Sequence, residues 1–259
     1  MRVTFLGTGS AMPTGERFQT GVLLETEAGT LLVDCGSGVL HGLQRTDAGY
    51  EGVDAVLLTH HHLDHVSDLM PLLKARWLAG ATELTVAGPE GTEELVTDLL
   101  GVHEYLQERL DLAFREVGPE SFSLAGFDVT GFEVRHSMYC LAYRFAEAGV
   151  ASNAEAGDRP AFVFSGDTEA FPQLIDFADG AAVLAHDCSF PDSVDVDNHP
   201  TPSELGRALA EADGEVGRVY LTHLYPHTDG HHDEMLDSIG QRYDGDVRFA
   251  SDGLSLDID

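Results

Sequence analysis

His60-His61-His62-Leu63-Asp64-His65 follows directly on the apolar run Ala55-Val56-Leu57-Leu58, and this junction decides the fold. The apolar run reads as a strand, and the histidine-rich run as a metal-binding loop at its end. On extended backbone, residues two apart project to the same side, so His60 and His62 offer imidazoles to one ion while His61 turns away. Asp64 and His65, round the turn, serve a second ion. Imidazole and carboxylate are what zinc takes, at about 2.0–2.1 Å and about 2.0–2.2 Å. A helical pattern comes next, with Leu69, Leu72, Leu73 and Trp77 recurring on one face of residues 66–79. A histidine-rich surface loop would not stand between a strand and an apolar helix.

Thr59 to His65 reads T-H-x-H-x-D-H, and in this the chain resembles the metallo-β-lactamase superfamily. The resemblance implies an α/β fold: an αββα sandwich of two mixed sheets flanked by helices, with residues 1–259 as one domain. It also implies three further ligands, each at a strand end. These are His136 in Val134-Arg135-His136-Ser137, Asp167 in Phe164-Ser165-Gly166-Asp167-Thr168, and His223 in Tyr220-Leu221-Thr222-His223. His60, His62 and His136 would then hold one zinc, Asp64, His65 and His223 the other, and Asp167 would bridge them; manganese or iron are alternative occupants. Two divalent ions about 3.5–4 Å apart hold a hydroxide, lower the pKa of its parent water and polarise a substrate oxygen. Their charge outweighs two carboxylates and a hydroxide, so an anionic ester is drawn in even by an acidic protein. Asp34 ends the run Leu31-Leu32-Val33, where the superfamily places a carboxylate that orients a ligand imidazole. As a plain turn residue at a strand end it would look the same.

Narrower features resemble the ribonuclease Z branch and its phosphodiesterase relatives. Phe5-Leu6-Gly7-Thr8-Gly9-Ser10-Ala11-Met12-Pro13-Thr14, followed by Arg17, looks like that family's opening. It is not a P-loop, because no Gly-Lys-Ser/Thr follows, and a tight glycine turn is expected there in any case. Ser165-Gly166-Asp167-Thr168 is similar to the same family. So is His199-Pro200-Thr201-Pro202-Ser203-Glu204, which resembles its H-x-T-x-x-E segment. The resemblance makes His199 the proton donor to the leaving oxygen and Glu204 its orienting partner, with Asp64 counted beside them in the catalytic set. Imidazole suits that task at neutral pH. Otherwise His199 would be a loop residue and Thr201 a helix cap. The segment His186-Asp187-Cys188-Ser189-Phe190 matches the family's acidic motif only loosely.

Ribonuclease Z grips tRNA with a long arm placed between its third metal histidine and its bridging aspartate. Here thirty residues separate His136 from Asp167, so that arm is expected to be absent. Fifty-five residues lie between Asp167 and His223, too few for the cap of β-CASP nucleases. The expected activity is that of a di-zinc hydrolase cleaving phosphodiester bonds, in nucleic-acid ends or in small cyclic or linear nucleotides, through a metal-bound hydroxide. The alternative is an acyl hydrolase of the same fold, a thiolesterase or lactonase, against which His199, Glu204 and the Gly9 loop speak. A non-enzymatic metal-binding protein would be expected to have lost ligands.

Hydrophobic residues make up 43% of the chain, which supports a sizeable core. No apolar span suits a membrane helix and the first residues run straight into a strand, so neither membrane segment nor signal peptide is expected. Cys35, Cys140 and Cys188 are odd in number and far apart. They suggest buried thiols in a reducing cytoplasm. The formal net charge is −31, and Lys74 is the only lysine beside thirteen arginines. The acids are spread over periodic segments, as on a solvated acidic surface. That surface suits a halophile's cytoplasm, where self-repulsion is screened over about 3 Å at 1 M salt; a partner with a basic surface is the alternative. Nucleic-acid binders neutralise phosphates with lysine and arginine. This chain is therefore expected to take RNA ends or short single strands, held by the metal pair and Arg17, and a homodimer is a further expectation.

Strands are expected at residues 3–6, 21–25, 31–34, 55–58, 84–87, 127–135, 139–145, 161–164, 181–185, 219–221, 247–250 and 254–256, and helices at 66–79, 92–106, 202–212 and 231–243. The polar stretch 148–160 reads as a hairpin loop. His227, His231 and His232 invite a third metal site. Neighbouring helical positions diverge, however, so a solvated helix start is expected there.

Overall fold

The computed structural model describes residues 1–149, 160–194 and 196–258. Side-chain alternation sets its layers. In β3 (Gly29–Val33) and β4 (Ala55–Leu57), Leu31, Val33, Ala55 and Leu57 pack into one cluster, Leu32 and Val56 into another, and all six are buried. Strands buried on both faces need cover on both sides. One side is covered by a second sheet and the other by helices, which is the αββα sandwich that the sequence implied.

The first sheet holds β1 (Arg2–Gly7), β2 (Gly21–Thr26), β3, β4, β5 (Glu83–Gly88) and β6 (Asp111–Glu116) in chain order. The last strand, β14 (Ser255–Asp257), returns to pair antiparallel with β1. The second sheet holds β7 (Ser121–Leu124), β8 (Phe127–Glu133), β9 (Leu141–Glu147), β10 (Ala161–Phe164), β11 (Val183–Asp187), β12 (Val219–Thr222) and β13 (Val247–Phe249) side by side. Both sheets are mixed. The strands β3 to β6 are mutually parallel, as are β10 to β13, and the remaining pairs are antiparallel.

Helices α1 (Val39–Leu43), α2 (Leu63–Val66), α3 (Leu69–Ala79) and α4 (Thr92–Val102) belong to the first half, and α3 and α4 lay apolar residues on the outer face of the first sheet. Helices α5 (Pro172–Phe177), α6 (Pro202–Glu211) and α7 (His232–Gly240) cover the second. Between the sheets lie Phe5, Phe127, Tyr143, Phe145 and Phe162, all fully buried. Burial of such side chains contributes about 1.5–3 kcal/mol each. The Tyr143 hydroxyl donates to Leu58 O at 2.9 Å, joining the second sheet to the first directly beneath the metal loop.

Several elements differ from the sequence reading. Residues 66–79 are not one helix: α2 ends at Val66 and α3 starts at Leu69. Asp68 stands between them because its carboxylate accepts the amides of Gly38 and Leu40, fastening the loop after β3. The expected helix 92–106 stops at Val102, and a 3₁₀ turn covers Glu104–Leu106. Strands β6 and β7 have no clear sequence signal, since β6 is a charged edge strand and β7 has four residues. Strand β11 lies two residues further along than expected and so carries Asp187 at its end. The stretch 148–160 joins antiparallel neighbours β9 and β10, but residues 150–159 lie outside the described residues. Among the described residues, no helix is long and apolar enough to cross a membrane.

Candidate metal centre

Parallel strands in both sheets end at one edge of the sandwich, and side chains just beyond their carboxyl ends meet there. Thr59 to His65 follows β4. Asp167 follows β10 through Gly166, whose φ is +60° and whose added Cβ would lie 3.0 Å from Cys140 Sγ. His223 follows β12 and His136 follows β8. Chain positions as much as 163 residues apart thus converge.

Two clusters share Asp167, and a third group, Asp187, His199 and His223, adjoins the second of them through His223. His60, His62, His136 and Asp167 bring ligand atoms within 4.8 Å of one another, as do Asp64, His65, Asp167 and His223. In the first, His62 Nδ1 lies 3.0 Å from His60 Nε2 and 3.1 Å from His136 Nε2. In the second, His223 Nε2 lies 3.1 Å from Asp64 Oδ2, and His65 Nε2 lies 3.3 Å from Asp167 Oδ1. Asp167 belongs to both: its Oδ2 is 3.7 Å from His60 Nε2 and 3.2 Å from His223 Nε2. His61, which the pleat turns away, bonds Thr92 Oγ1 at 2.9 Å and anchors the loop to the start of α4.

The remaining ring nitrogens fix how these imidazoles point. His65 Nδ1 donates to Asp34 Oδ2 at 2.7 Å. Asp34 also accepts Thr59 N and Thr59 Oγ1, each at 2.8 Å. The Thr59 hydroxyl proton goes to Asp34, so its oxygen accepts from His60 Nδ1 at 3.0 Å. His136 Nδ1 is 3.4 Å from Asn198 O, and His223 Nδ1 is 2.9 Å from Ser189 Oγ. Asp34 is therefore both of the things its position allowed. It is a turn residue with φ +57°, and it is the carboxylate that orients His65. Outer partners of this kind are worth about 10–100-fold in metal affinity. Asp34→Ala should weaken zinc binding by about that factor, measured by competition with a chromogenic chelator; unchanged affinity would remove Asp34 from this role.

Protonation favours ligation at His60, His62 and His136. Burial, then the neighbouring His65, holds His60 well below the ordinary histidine range, and burial lowers His62 and His136 too. Burial opposes ionisation of Asp167, but the charges of His223 and His65 win and hold it well below the usual carboxylate range. Asp64 is likewise lowered against burial, by the hydrogen bond from His223 and the charge of His65. Ligands must be neutral imidazole and ionised carboxylate, so His65, which burial lowers but Asp167 and then Asp34 raise well above the ordinary histidine range, gives up a proton when an ion binds. His65 Nε2, aimed into the second cluster, is buried without a hydrogen-bond partner, as a nitrogen kept for a cation would be. The donor set fits two divalent ions.

Beside both clusters stands His199, its ring stacked on His223 (5.2 Å, 14°) and edge-on to His136 (5.2 Å). Its Nδ1 donates to Asp187 Oδ2 at 2.7 Å. Burial works against protonation, but the charge and hydrogen bond of Asp187 raise His199 to about 9.

A family model described as anti-Pycsar protein Apyc1 matches residues 1–235. The chain belongs to the anti-Pycsar protein Apyc1 family. Ribonuclease Z of Myxococcus xanthus is 28% identical to it over 308 aligned positions, covering 100% of this chain and 98% of the relative. Since this chain has 259 residues, that relative carries segments absent here. Among solved structures, the metallo-β-lactamase fold protein YhfI from Bacillus subtilis superposes with a TM-score of 0.82 at 26% identity, covering 98% of each chain. The short form of human tRNase Z does so at 0.76 and 20% identity, covering 100% of each. This Apyc1-family chain is a metal-dependent, ribonuclease Z-like hydrolase of the metallo-β-lactamase superfamily.

All seven ligand candidates come together in the Apyc1-family chain, and His199 lies beside them. Glu204 does not take the place expected of it. Its Oε2 accepts Thr201 N at 2.9 Å and Thr201 Oγ1 at 3.0 Å, closing a capping box at the start of α6. The carboxylate that orients His199 is Asp187, which also accepts Thr168 N at 3.1 Å and Ser189 Oγ at 2.5 Å. Asp187 and Ser189, whose segment the sequence reading set aside as a loose match, are the site residues to which it gave no role. A carboxylate at the end of a parallel strand next to that of Asp167 was the available signal. Arg17 braces the glycine turn: its Nη1 donates to Thr8 Oγ1 at 2.6 Å and Ala250 O at 2.8 Å. His231 pairs with Glu234 at 2.9 Å while His232 stacks on Phe249 at 4.0 Å, so these two histidines diverge as expected.

Proposed function

We propose that this chain is a phosphodiesterase that works with two zinc ions and acts on small nucleotides, RNA ends or short single strands. His60, His62 and His136 hold one ion, Asp64, His65 and His223 the other, and Asp167 both; nitrogen and carboxylate donors suit zinc, with manganese or iron as alternatives. When bound, such a pair supplies Lewis acidity and a water acidic enough to attack at neutral pH. The residues of the chain do the rest. Asp34, Thr59 and Ser189 keep the ligand rings oriented. His199, held protonated by Asp187, gives its Nε2 proton to the leaving oxygen.

The observation that carries this reading is the pair of His199 and Asp187, set between ligands of the two clusters. An alkoxide leaving a phosphodiester needs a proton, whereas a thiolate leaving a thiolester does not. A screen of zinc-loaded protein in molar salt against phosphodiester, thiolester and lactone reporters tests it, and turnover of an acyl reporter alone would defeat it.

Substrate size follows from the acidic surface and the short span between His136 and Asp167. Binding that depends on many phosphate contacts weakens with salt at a slope of about −0.9 per contact on duplex DNA. A chain with a net charge of −31 and one lysine has few such contacts to lose. Activity should persist in molar potassium chloride and differ little between a precursor tRNA and an unstructured oligonucleotide with the same end. Strong preference for the folded tRNA, with cleavage at its processing site, would overturn this expectation.

A further inference from the structure

Tyr225 is held beside His223 and His199 with its hydroxyl unused. Its backbone is fixed on both sides: its N–H donates to Ser189 O at 3.3 Å, and its carbonyl accepts Thr228 N at 3.0 Å and Thr228 Oγ1 at 2.8 Å. Its ring stacks on Phe190 (4.4 Å, 27°) and stands at a steep angle to His223 (5.7 Å, 73°) and His199 (6.0 Å, 64°). Phe190 is nearly buried, so the ring has a rigid backing. Buried tyrosine hydroxyls usually find a partner, as Tyr143 does with Leu58 O. The half-buried Tyr225 hydroxyl makes no hydrogen bond among the described residues. A phenol titrating at its ordinary value near 10 is already a donor at neutral pH.

We propose that Tyr225 is a catalytic residue whose hydroxyl donates a hydrogen bond to a non-bridging oxygen of the scissile phosphodiester. The inference rests on the phosphodiesterase reading above and adds a donor that the metal ligands and His199 do not provide. No bond is made or broken at Tyr225. Water adds its oxygen to phosphorus, keeping one proton on the product phosphate and releasing the other to solvent; the P–O bond to the leaving group breaks, the leaving oxygen takes its proton from His199, and His199 regains one from solvent. The phenol keeps its own proton throughout and tightens its hydrogen bond as negative charge gathers on the non-bridging oxygen. A donor whose ring is already fixed in place does this with little reorganisation.

The test compares zinc-loaded wild type with Tyr225→Phe and Tyr225→Ala. Hydrolysis of bis(p-nitrophenyl) phosphate gives kcat and KM, and calorimetry gives the affinity for orthovanadate, an oxyanion with trigonal-bipyramidal habits. Removing one oxyanion donor costs about 10²–10³-fold in kcat. Tyr225→Phe should show a loss approaching that range, with KM nearly unchanged, zinc content intact and vanadate bound more weakly. Tyr225→Ala should lose little more. A wild-type rate in Tyr225→Phe with a slow Tyr225→Ala would mean that the ring alone matters, as a platform, and would overturn the proposal. Should wild type turn over no phosphodiester, the parent reading fails, and vanadate still judges Tyr225: equal affinity in wild type and Tyr225→Phe overturns it, and weaker binding in the variant supports it.

Discussion

Asp167→Ala should empty both metal positions at once and take turnover below detection. The carboxylate is the one group common to the two clusters: Oδ1 faces His65, while Oδ2 lies near His60, His136 and His223. Its removal takes a ligand from each site. It also leaves the buried nitrogens of His60, His65 and His223 without the negative charge that offsets a cation. Metal analysis after zinc loading should give about two ions per chain for wild type and far fewer for the variant. One ion or none in wild type would defeat the two-metal assignment. Loss of only one ion in the variant would show that Asp167 is not shared.

His199→Ala should behave in the opposite way, keeping its metal and losing its chemistry. His199 lies outside the two clusters that share Asp167; it is hydrogen-bonded to Asp187 and grouped with it and His223. A general acid contributes about 10²–10⁴-fold, and that loss should shrink for an activated aryl leaving group, which departs without a proton. Asp187→Asn should share the pattern, because the amide removes the negative charge that keeps the imidazole protonated. Glu204→Ala is the control. Its carboxylate caps α6, so it should cost about 0.5–2 kcal/mol of stability and leave the leaving-group dependence untouched. Equal losses in the His199 variant for activated and unactivated diesters would assign this residue another task.

The metal loop was legible because six adjacent residues carry it, and their pleat and turn alone separate His60 and His62 from Asp64 and His65. His136, Asp167 and His223 could be named only through resemblance, since one histidine or aspartate at a strand end carries no signature of its own. Asp187 was quoted as part of a loosely matching motif but given no role, because β11 was placed two residues early and its carboxylate did not fall at a strand end. Glu204 was misjudged for an instructive reason: Thr201-Pro202-Ser203-Glu204 fits a capping box as well as a catalytic segment. Local hydrogen bonding claimed that carboxylate. The carboxylate beside His199 came instead from a neighbouring strand, twelve positions earlier in the chain. Strand β6 was missed because an edge strand exposes charge and lacks the apolar run by which inner strands are found.

Each cluster draws on both halves of the sandwich. His60, His62, Asp64 and His65 come from the half built on the first sheet, and His136, Asp167 and His223 from the half built on the second. An ion seated in either cluster is thus a clasp between two layers otherwise joined by apolar packing and a few bonds such as that from Tyr143 to Leu58. Occupancy and resistance to unfolding are then two readings of one equilibrium. At a free-ion concentration one hundred times Kd, each site would add about 2.7 kcal/mol to the folded state. Depletion of the metal would therefore cost this protein part of its cohesion as well as its activity.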